Sequence, residues 1–294
     1  MNSKATLLAA AFLLAALPAR AADTVHVAKA VSTQWAFLPL DIGHEEGIFA
    51  KHGVDLDIVA MTGEAKLMQG LTAGSLDFGV AGSPGAALAV KGAPVIAVAV
   101  LTNQPRNFSV VVTKDSPIKT IADVKGKRVT GEYPAQLAVW YNVFGSLSNG
   151  GLTWNDVKVV PVPAVNEGVD ALIQGRADVT THAIGSAKVK EADAAIGIRY
   201  IPLDCSKQGE ARIKKAVPGY YLSIVKAGSS TGILEETCAY TYDIYLVGAK
   251  NLPDPVVRNV LQAIWINVEK LPQFHPSFAE WTKARAVDPE VTLP

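Results

Sequence analysis

The chain has 294 residues, with 27 basic and 27 acidic side chains, and 49% of its residues are hydrophobic. The balanced charge argues against a nucleic-acid-binding protein, which usually carries a basic surplus or a basic face. Only 18% of the residues are charged, so the chain can bury a large core and wholesale disorder is not expected. The length suits one large α/β domain or two lobes of ordinary size.

The first 21 residues have the layout of a cleaved signal peptide. Lys4 precedes an apolar run of 13 residues, Ala5–Leu17, which Pro18 ends, and small residues follow at Ala19 and Ala21. A membrane-spanning helix would need roughly 20 apolar residues, so this run is too short for one. We therefore expect an exported protein that works in an oxidising compartment.

Two cysteines are too few for a disulfide-dense scaffold or for a four-cysteine zinc site. In an oxidising compartment we expect Cys205 and Cys238 to form a disulfide, which would close a loop of 33 residues. The alternative is two separate buried thiols, because the sequence does not give the distance between the two Cα atoms.

Strand-like and helix-like patterns alternate through the first half of the chain. This alternation predicts βαβ units and a parallel sheet. The predicted strands are Val25–Val31, Val54–Ala60, Asp77–Ala81 and Pro94–Leu101, and the predicted helices are Trp35–Phe49, Glu64–Ala73 and Pro84–Val90.

The second half repeats this alternation and then changes in texture. The predicted strands are Arg128–Gly131, Val157–Val162, Asp178–His182 and Ile198–Leu203, and the predicted helices are Ala135–Leu147 and Glu167–Gln174. Further segments are Val217–Val225 and Tyr240–Val247, which are rich in tyrosine and β-branched residues, the amphipathic helix Pro255–Leu271 and a short helix Phe278–Ala284. We expect one more terminal helix beyond Pro294.

A weak internal repeat links the two halves. The segment from Leu71 to Asp77 parallels the segment from Leu172 to Asp178, each with a helix, a glycine and an aspartate before a buried strand. The glycine supplies the left-handed backbone that often ends a helix, and the aspartate is able to cap the turn. The recurrence predicts two similar α/β lobes.

Enzyme and metal motifs are absent from the sequence. It contains no G-x-S-x-G, Walker A, H-E-x-x-H or G-x-G-x-x-G motif, and its five histidines lack metal-ligand spacing. We therefore expect no catalytic residues, no metal and no cofactor.

The junctions between strands and helices are the remaining candidates for a binding site. In open parallel sheets, ligands bind beyond the carboxyl ends of the strands, where helix N-termini offer free N–H groups. Each candidate also has a purely structural interpretation, such as a helix cap for the serine or core packing for the aromatic rings. The candidates are Gln34, Trp35, Ser83, Pro84, Arg106, Glu132, Tyr133, Gln136, His182 and Tyr220.

Four segments resemble the type II periplasmic solute-binding proteins. Ser116–Val129 is similar to the segment that opens the second lobe in that superfamily. Asp41–Val54 is similar to a helix of the binding proteins for nitrate, sulfonates, taurine and thiamine precursors, and the Gly-x-x-Asp turns at Gly74 and Gly175 also match. The resemblance covers about residues 25–285.

The C-terminal third resembles a related group. Val217–Tyr221, Asn251–Val257 and Trp265–His275 are similar to the TAXI receptors of TRAP transporters. The chain lacks the glycine-rich loop that this group carries after its first strand, and it has Glu132–Pro134 where the group has small residues.

The resemblance implies two similar three-layer α/β lobes with a hinge and a ligand cleft between them. Lobe 1 would comprise residues 22–112, lobe 2 residues 113–215, and residues 216–294 would cross over and return to lobe 1. The resemblance implies no catalytic step, because the lobes close on a ligand and present it to a membrane permease.

The sequence thus predicts a periplasmic, monomeric solute-binding subunit of an uptake transporter, of ABC type or alternatively of TRAP type. We expect a small organic anion as ligand, such as an aromatic carboxylate, held by helix N-termini near Ser83 and Tyr133 and by Arg106. Trp35, Tyr133 and Tyr220 would stack on its flat body. The alternatives are a sulfonate, nitrate or thiamine-precursor pyrimidine as ligand, an enzyme of thiamine-precursor type on the same fold, and a receptor for a sensor kinase.

Overall fold

A computed structural model describes residues 23–32, 35–82, 92–103 and 108–286 of the chain. The strands are β1 (Asp23–Lys29), β2 (Val54–Ala60), β3 (Phe78–Gly82), β4 (Val95–Thr102), β5 (Phe108–Thr113), β6 (Arg128–Glu132), β7 (Lys158–Val162), β8 (Thr180–Ala183), β9 (Ile198–Ile201), β10 (Tyr221–Val225), β11 (Thr237–Thr241) and β12 (Ile244–Ala249). The α-helices are α1 (Pro39–Glu45), α2 (Glu64–Ala73), α3 (Leu137–Asn149), α4 (Val165–Ile173), α5 (Ala187–Ile196), α6 (Lys207–Ala216) and α7 (Asp254–Asn267). The predicted signal peptide and the predicted helix Pro84–Val90 lie outside the described residues.

The sheet of lobe 1 has the strand order β2-β1-β3-β12-β4. Strand β1 pairs in parallel with β2 and β3, as the βαβ pattern predicts. The four strands predicted in the first half run in the same direction, but β12, from the end of the chain, is inserted antiparallel between β3 and β4, so the sheet is mixed. The reason is that β12 arrives from the other lobe near the end of the chain, and no crossover helix constrains its direction.

The strands of lobe 2 repeat the same order. Strand β6 pairs in parallel with β7, and a bridge between Val129 and Val179 leads from β6 toward β8. Strand β5 pairs antiparallel with both β8 and β9, and β11 and β10 extend this sheet. The order β7-β6-β8-β5-β9 therefore matches β2-β1-β3-β12-β4, and in each lobe the antiparallel strand lies on a segment that connects the two lobes.

The internal repeat forms the same local structure in both lobes. Gly74 and Gly175 have φ angles of 74° and 66°, so both helices end in the left-handed region. The Asp77 carboxylate accepts a hydrogen bond of 2.8 Å from the backbone N–H of His26 in β1. The Asp178 carboxylate accepts one of 2.9 Å from the backbone N–H of Arg128 in β6. Each aspartate thus ties the start of the third strand of its lobe to the first, which goes beyond the turn capping that the sequence suggests.

Several element boundaries differ from the predictions. The helix predicted for Trp35–Phe49 is α1 with short 3-10 turns on either side, because Gly47 adopts a positive φ of 63° inside it. The tyrosine-rich segment Tyr240–Val247 is divided between β11 and β12. The helix predicted for Pro255–Leu271 becomes a 3-10 turn from Val268, with Pro272 inside that turn.

The disulfide between Cys205 and Cys238 is confirmed, with 5.9 Å between the two Cα atoms. Cys238 lies in β11, and its carbonyl oxygen accepts a hydrogen bond from the Leu203 backbone N–H. The disulfide therefore links the segment after β9 to β11 in lobe 2. No helix among the described residues is both long enough and apolar enough to cross a membrane.

Candidate ligand-binding cleft

Two contacts between the lobes stand out among the described residues, and the first centres on Trp35. The indole Nε1–H of Trp35 donates a 2.8 Å hydrogen bond to the Ile184 carbonyl oxygen, which follows β8 in lobe 2. The ring stacks on His275 at 5.9 Å between centroids and meets Phe278 edge-on at 5.5 Å. Trp35 is buried, so this contact shuts one side of the space between the lobes.

The second contact joins the start of α2 in lobe 1 to the start of α3 in lobe 2. Gly63 has a φ of 103°, and a Cβ atom there would lie 1.7 Å from the Ala135 carbonyl oxygen. Only glycine permits this approach, for both its backbone conformation and its lack of a side chain. Glu64 follows at the first position of α2 and lies against the first turn of α3, at Ala138.

Between these two contacts lies a small cavity with a volume of about 20 Å³, space for one or two water molecules. Its walls are mostly apolar and aromatic and come from both lobes. They are Ala30, Val31, Phe37, Glu64, Phe108, Gln136, Ala138, Val139, Val165, His182, Ala183 and Tyr242. The lobes are therefore closed here, and a solute of ordinary size would require them to separate.

Glu64 is the acidic side chain of this wall, and only 7% of its surface is exposed. Its Oε1 accepts a 3.0 Å hydrogen bond from the backbone N–H of Gly82, at the end of β3. Burial raises the pKa of Glu64 to about 7, although the backbone N–H groups of Gly82 and Ala138 act in the opposite direction. The carboxyl group is thus close to half protonated at neutral pH.

His182 is the second ionisable group of the wall and is fully buried. Its Nε2 lies 3.1 Å from the Asn166 side-chain oxygen and its Nδ1 lies 2.8 Å from the Ser186 hydroxyl, both within lobe 2. Burial lowers the pKa of His182 to about 4, so the ring is neutral at pH 7. It is therefore a polar, uncharged part of the wall.

Stacked aromatic rings form one side of the cavity and continue into the core behind it. Phe108 stacks on His182 at 6.3 Å and packs against Tyr242 at 5.8 Å. Tyr220 lies behind Tyr242 at 5.4 Å and stacks on Tyr240 at 5.5 Å. The inner rings support the position of Tyr242 and Phe108, which are the rings that border the cavity.

Of the residues predicted for the site, two line the cavity, namely Gln136 and His182. The side-chain oxygen of Gln136 accepts a 2.7 Å hydrogen bond from the Val165 backbone N–H, which fixes the start of α4. Trp35 lies in the contact described above rather than on the cavity wall. Gln34, Ser83, Pro84 and Arg106 lie outside the described residues.

Three predicted residues lie elsewhere in lobe 2. Tyr133 is buried in the core, where its hydroxyl pairs with Thr130 at 2.5 Å and burial raises its pKa to about 12. Tyr220 is buried one layer behind the wall, and its hydroxyl donates to the Asn142 side-chain oxygen. Glu132 is exposed at the end of β6. Neither tyrosine ring is therefore placed to stack on a ligand in this closed form.

The residues missed by sequence reasoning are Phe37, Glu64, Phe108 and Tyr242. Glu64 begins a helix shortly after the strand β2, so it belongs to the same kind of strand-to-helix junction as the predicted candidates. Phe108 begins β5 and Tyr242 lies between β11 and β12, and the pairing of β11 with β5 brings these two residues together. No group of three or more acidic, histidine or cysteine side chains suited to a metal occurs in the described part of the chain.

A larger groove of about 810 Å³ lies on the outside of lobe 1, between β4 and α7. Its walls include Val100, Leu101, Leu261 and Trp265. Because the groove belongs to one lobe, closure of the lobes would not enclose a ligand in it. We therefore take the smaller cavity between the lobes as the candidate site.

Comparison with known proteins identifies the family to which the chain belongs. The model of the family described as "NMT1/THI5 like" matches residues 34–210, which is more than half of the chain. The chain belongs to this family. A Brucella abortus protein provisionally named as a binding protein is 31% identical over 164 residues. That match covers 53% of this chain and 47% of the relative, so the chain spans about half the length of the curated relatives it matches.

Solved structures share the fold over about nine-tenths of this chain at low sequence identity. A protein of Bordetella bronchiseptica superposes with a TM-score of 0.62 at 20% identity, over 91% of this chain and 85% of that one. The periplasmic aliphatic sulphonate binding protein of Escherichia coli gives 0.55 at 19% identity, over 90% and 80%. The alkanesulfonate-binding protein of Xanthomonas axonopodis bound to MOPS gives 0.57 at 15% identity, over 91% and 81%. The expected periplasmic binding protein fold is confirmed, whereas the resemblance to TAXI receptors stays a prediction.

Proposed function

We propose that the protein is the exported solute-binding subunit of an ABC-type uptake transporter and that it encloses a small organic solute between its two lobes. The observation that carries this proposal is a cavity whose walls come from both lobes and which is bounded by two contacts between them. A cavity built in this way opens and closes when the lobes move, whereas a pocket within one lobe does not.

The proposal includes the division of the chain that the sequence suggests. Residues 1–21 would direct export to the periplasm and be removed. Residues 22–112 would form the first part of lobe 1, residues 113–215 would form lobe 2, and residues 216–294 would cross over and return to lobe 1. The strands β5 and β11–β12 would carry the hinge, and the closed monomer would dock on a membrane permease. A permease of TRAP type is the alternative partner.

The anionic ligand expected from the sequence would be held near Ser83 and Tyr133 and by Arg106. None of these three residues is among the described residues that line the cavity. Ser83 and Arg106 lie outside the described residues, and Tyr133 is buried in the core of lobe 2. The N–H groups of Gly82 and Ala138, which are of the kind that binds anions, already face the Glu64 carboxyl group. The described wall thus favours a ligand other than a carboxylate or sulfonate.

Small-angle X-ray scattering during titration with candidate solutes tests the proposed function. A solute that binds should reduce the radius of gyration from that of an open form to that of the closed form described here. A matched variant is Trp35→Phe, which keeps an aromatic ring but removes the hydrogen bond to Ile184 and should weaken closure. Binding without any change in the radius of gyration would contradict capture by lobe closure.

A further inference from the structure

The Glu64 carboxyl group lies at the meeting point of the two lobes. It begins α2 in lobe 1, accepts the Gly82 N–H of the same lobe, and lies against the Ala138 N–H of lobe 2. It also forms part of the cavity wall. Closure of the lobes therefore buries a carboxyl group that water reaches when the lobes are apart.

The cavity contains no described positive charge to balance this carboxylate. Among the described residues that line it, Glu64, His182 and Tyr242 are the ionisable ones, and no lysine or arginine is present. His182 is neutral near pH 7, and Tyr220 behind the wall has a pKa well above its usual value, first because of burial. Among the described residues, an ionised Glu64 is thus met by backbone N–H dipoles and by no positive side chain of the wall, so that its burial is costly.

The remainder of the wall suits an organic cation. Phe37, Phe108 and Tyr242 present aromatic rings to the cavity, and the face of an aromatic ring attracts a positive charge. A carboxylate beside such rings pairs with a cationic nitrogen through a charge-assisted hydrogen bond, which is stronger than a neutral one.

We propose that Glu64 is the residue that selects the ligand, and that the ligand presents a positively charged nitrogen to its carboxylate. This inference rests on the proposed function and names its ligand class. The cation supplies a positive charge that the described residues of the wall lack, so that at neutral pH the lobes close on a cationic solute more readily than on an empty cleft. Binding of the cation to the ionised carboxylate releases the proton from the fraction of molecules in which Glu64 is protonated.

Three aromatic probes of nearly equal size and shape test the charge preference: benzamidine as the cation, benzamide as the neutral compound and benzoate as the anion. Isothermal titration calorimetry of the mature chain at pH 8 should give the tightest binding for benzamidine, by about tenfold or more over the other two, the effect of a single charge pair. Titrations at pH 7 in buffers of different ionisation enthalpy should show net proton release.

The variant Glu64→Gln keeps an oxygen that accepts the Gly82 N–H but removes the charge. It should lose most of the preference for benzamidine and all of the proton release, while its binding of benzamide changes little. The control variant is Glu45→Gln, which removes an exposed charge on α1 and should behave like the unaltered protein. Thermal unfolding establishes that each variant is folded.

Tighter binding of benzoate, an unchanged preference in Glu64→Gln, or no binding of any probe at millimolar concentration would each overturn the proposal. The proposed function fails by a different result. If benzamidine binds in a Glu64-dependent manner but X-ray scattering shows no compaction, the charge selection stands and capture by lobe closure is wrong.

Discussion

The pKa of Glu64 makes the closure of the empty cleft depend on pH. We expect the carboxyl group to be solvated and to have its ordinary pKa of 4.5 when the lobes are apart, whereas burial in the closed form raises its pKa to about 7. A raised pKa means that the closed form binds the proton more tightly. The stabilisation of the closed form is therefore fully present below pH 4.5, declines as the pH rises and is lost above pH 7.

The size of this effect follows from the two pKa values. At 1.36 kcal/mol per pH unit, the shift from 4.5 to about 7 corresponds to about 3 kcal/mol. The ratio of closed to open molecules without ligand should accordingly fall by a few hundredfold between pH 4.5 and pH 8. In Glu64→Gln the same ratio should lose the part of its pH dependence that comes from Glu64.

Small-angle X-ray scattering of the ligand-free protein across this pH range measures the ratio. The comparison between the unaltered protein and Glu64→Gln isolates Glu64, because His182 titrates in both. The reasoning is refuted if the empty protein becomes more compact as the pH rises, or if both proteins show the same pH dependence.

Three further predictions concern stability and closure. Replacing Cys205 and Cys238 by serine should lower the free energy of unfolding by about 4 kcal/mol, the loop entropy of 33 residues, as measured by urea unfolding; a loss below about 1 kcal/mol would contradict the entropic estimate. Burial lowers the pKa of His182 to about 4, so the free energy of unfolding should fall by up to about 3 kcal/mol as the pH falls from 6.5 to 4, where the unfolded chain binds a proton that the folded chain does not. The variant His182→Gln should remove this pH dependence. Gly63→Ala should hold the lobes apart in X-ray scattering even at pH 5, because its Cβ would lie 1.7 Å from the facing carbonyl oxygen of lobe 2. The control Gly74→Ala has a similar positive φ but open space around its Cβ, so compaction of Gly63→Ala to the same extent as this control would count against the second contact.

The sequence predicted best those features that local rules determine. The helix Glu64–Ala73 and the strand Val54–Ala60 have the predicted bounds. The helix ends before Gly74, which adopts the left-handed backbone, and the strand alternates between buried and exposed residues over its first half. The internal repeat is also confirmed, because its glycine acts within one turn and its aspartate acts within one pair of neighbouring strands. The disulfide followed from the compartment alone.

The features that the sequence did not reveal depend on distant segments meeting. The antiparallel direction of β12 is set by its return from lobe 2, and no local pattern records that path. The two helices α5 and α6 were also not anticipated. Tyr133 is an ordinary junction residue in the sequence, yet two consecutive positive φ angles at Glu132 and Tyr133 (69° and 43°) turn its ring into the core.

The most direct test of the central claim is a crystal structure of the mature protein purified with its natural ligand retained. We expect electron density for the ligand between the lobes, bordered by Glu64, Phe108, His182 and Tyr242, in a cavity enlarged to hold it. Density confined to the outer groove between β4 and α7, with the space between the lobes empty, would contradict the account.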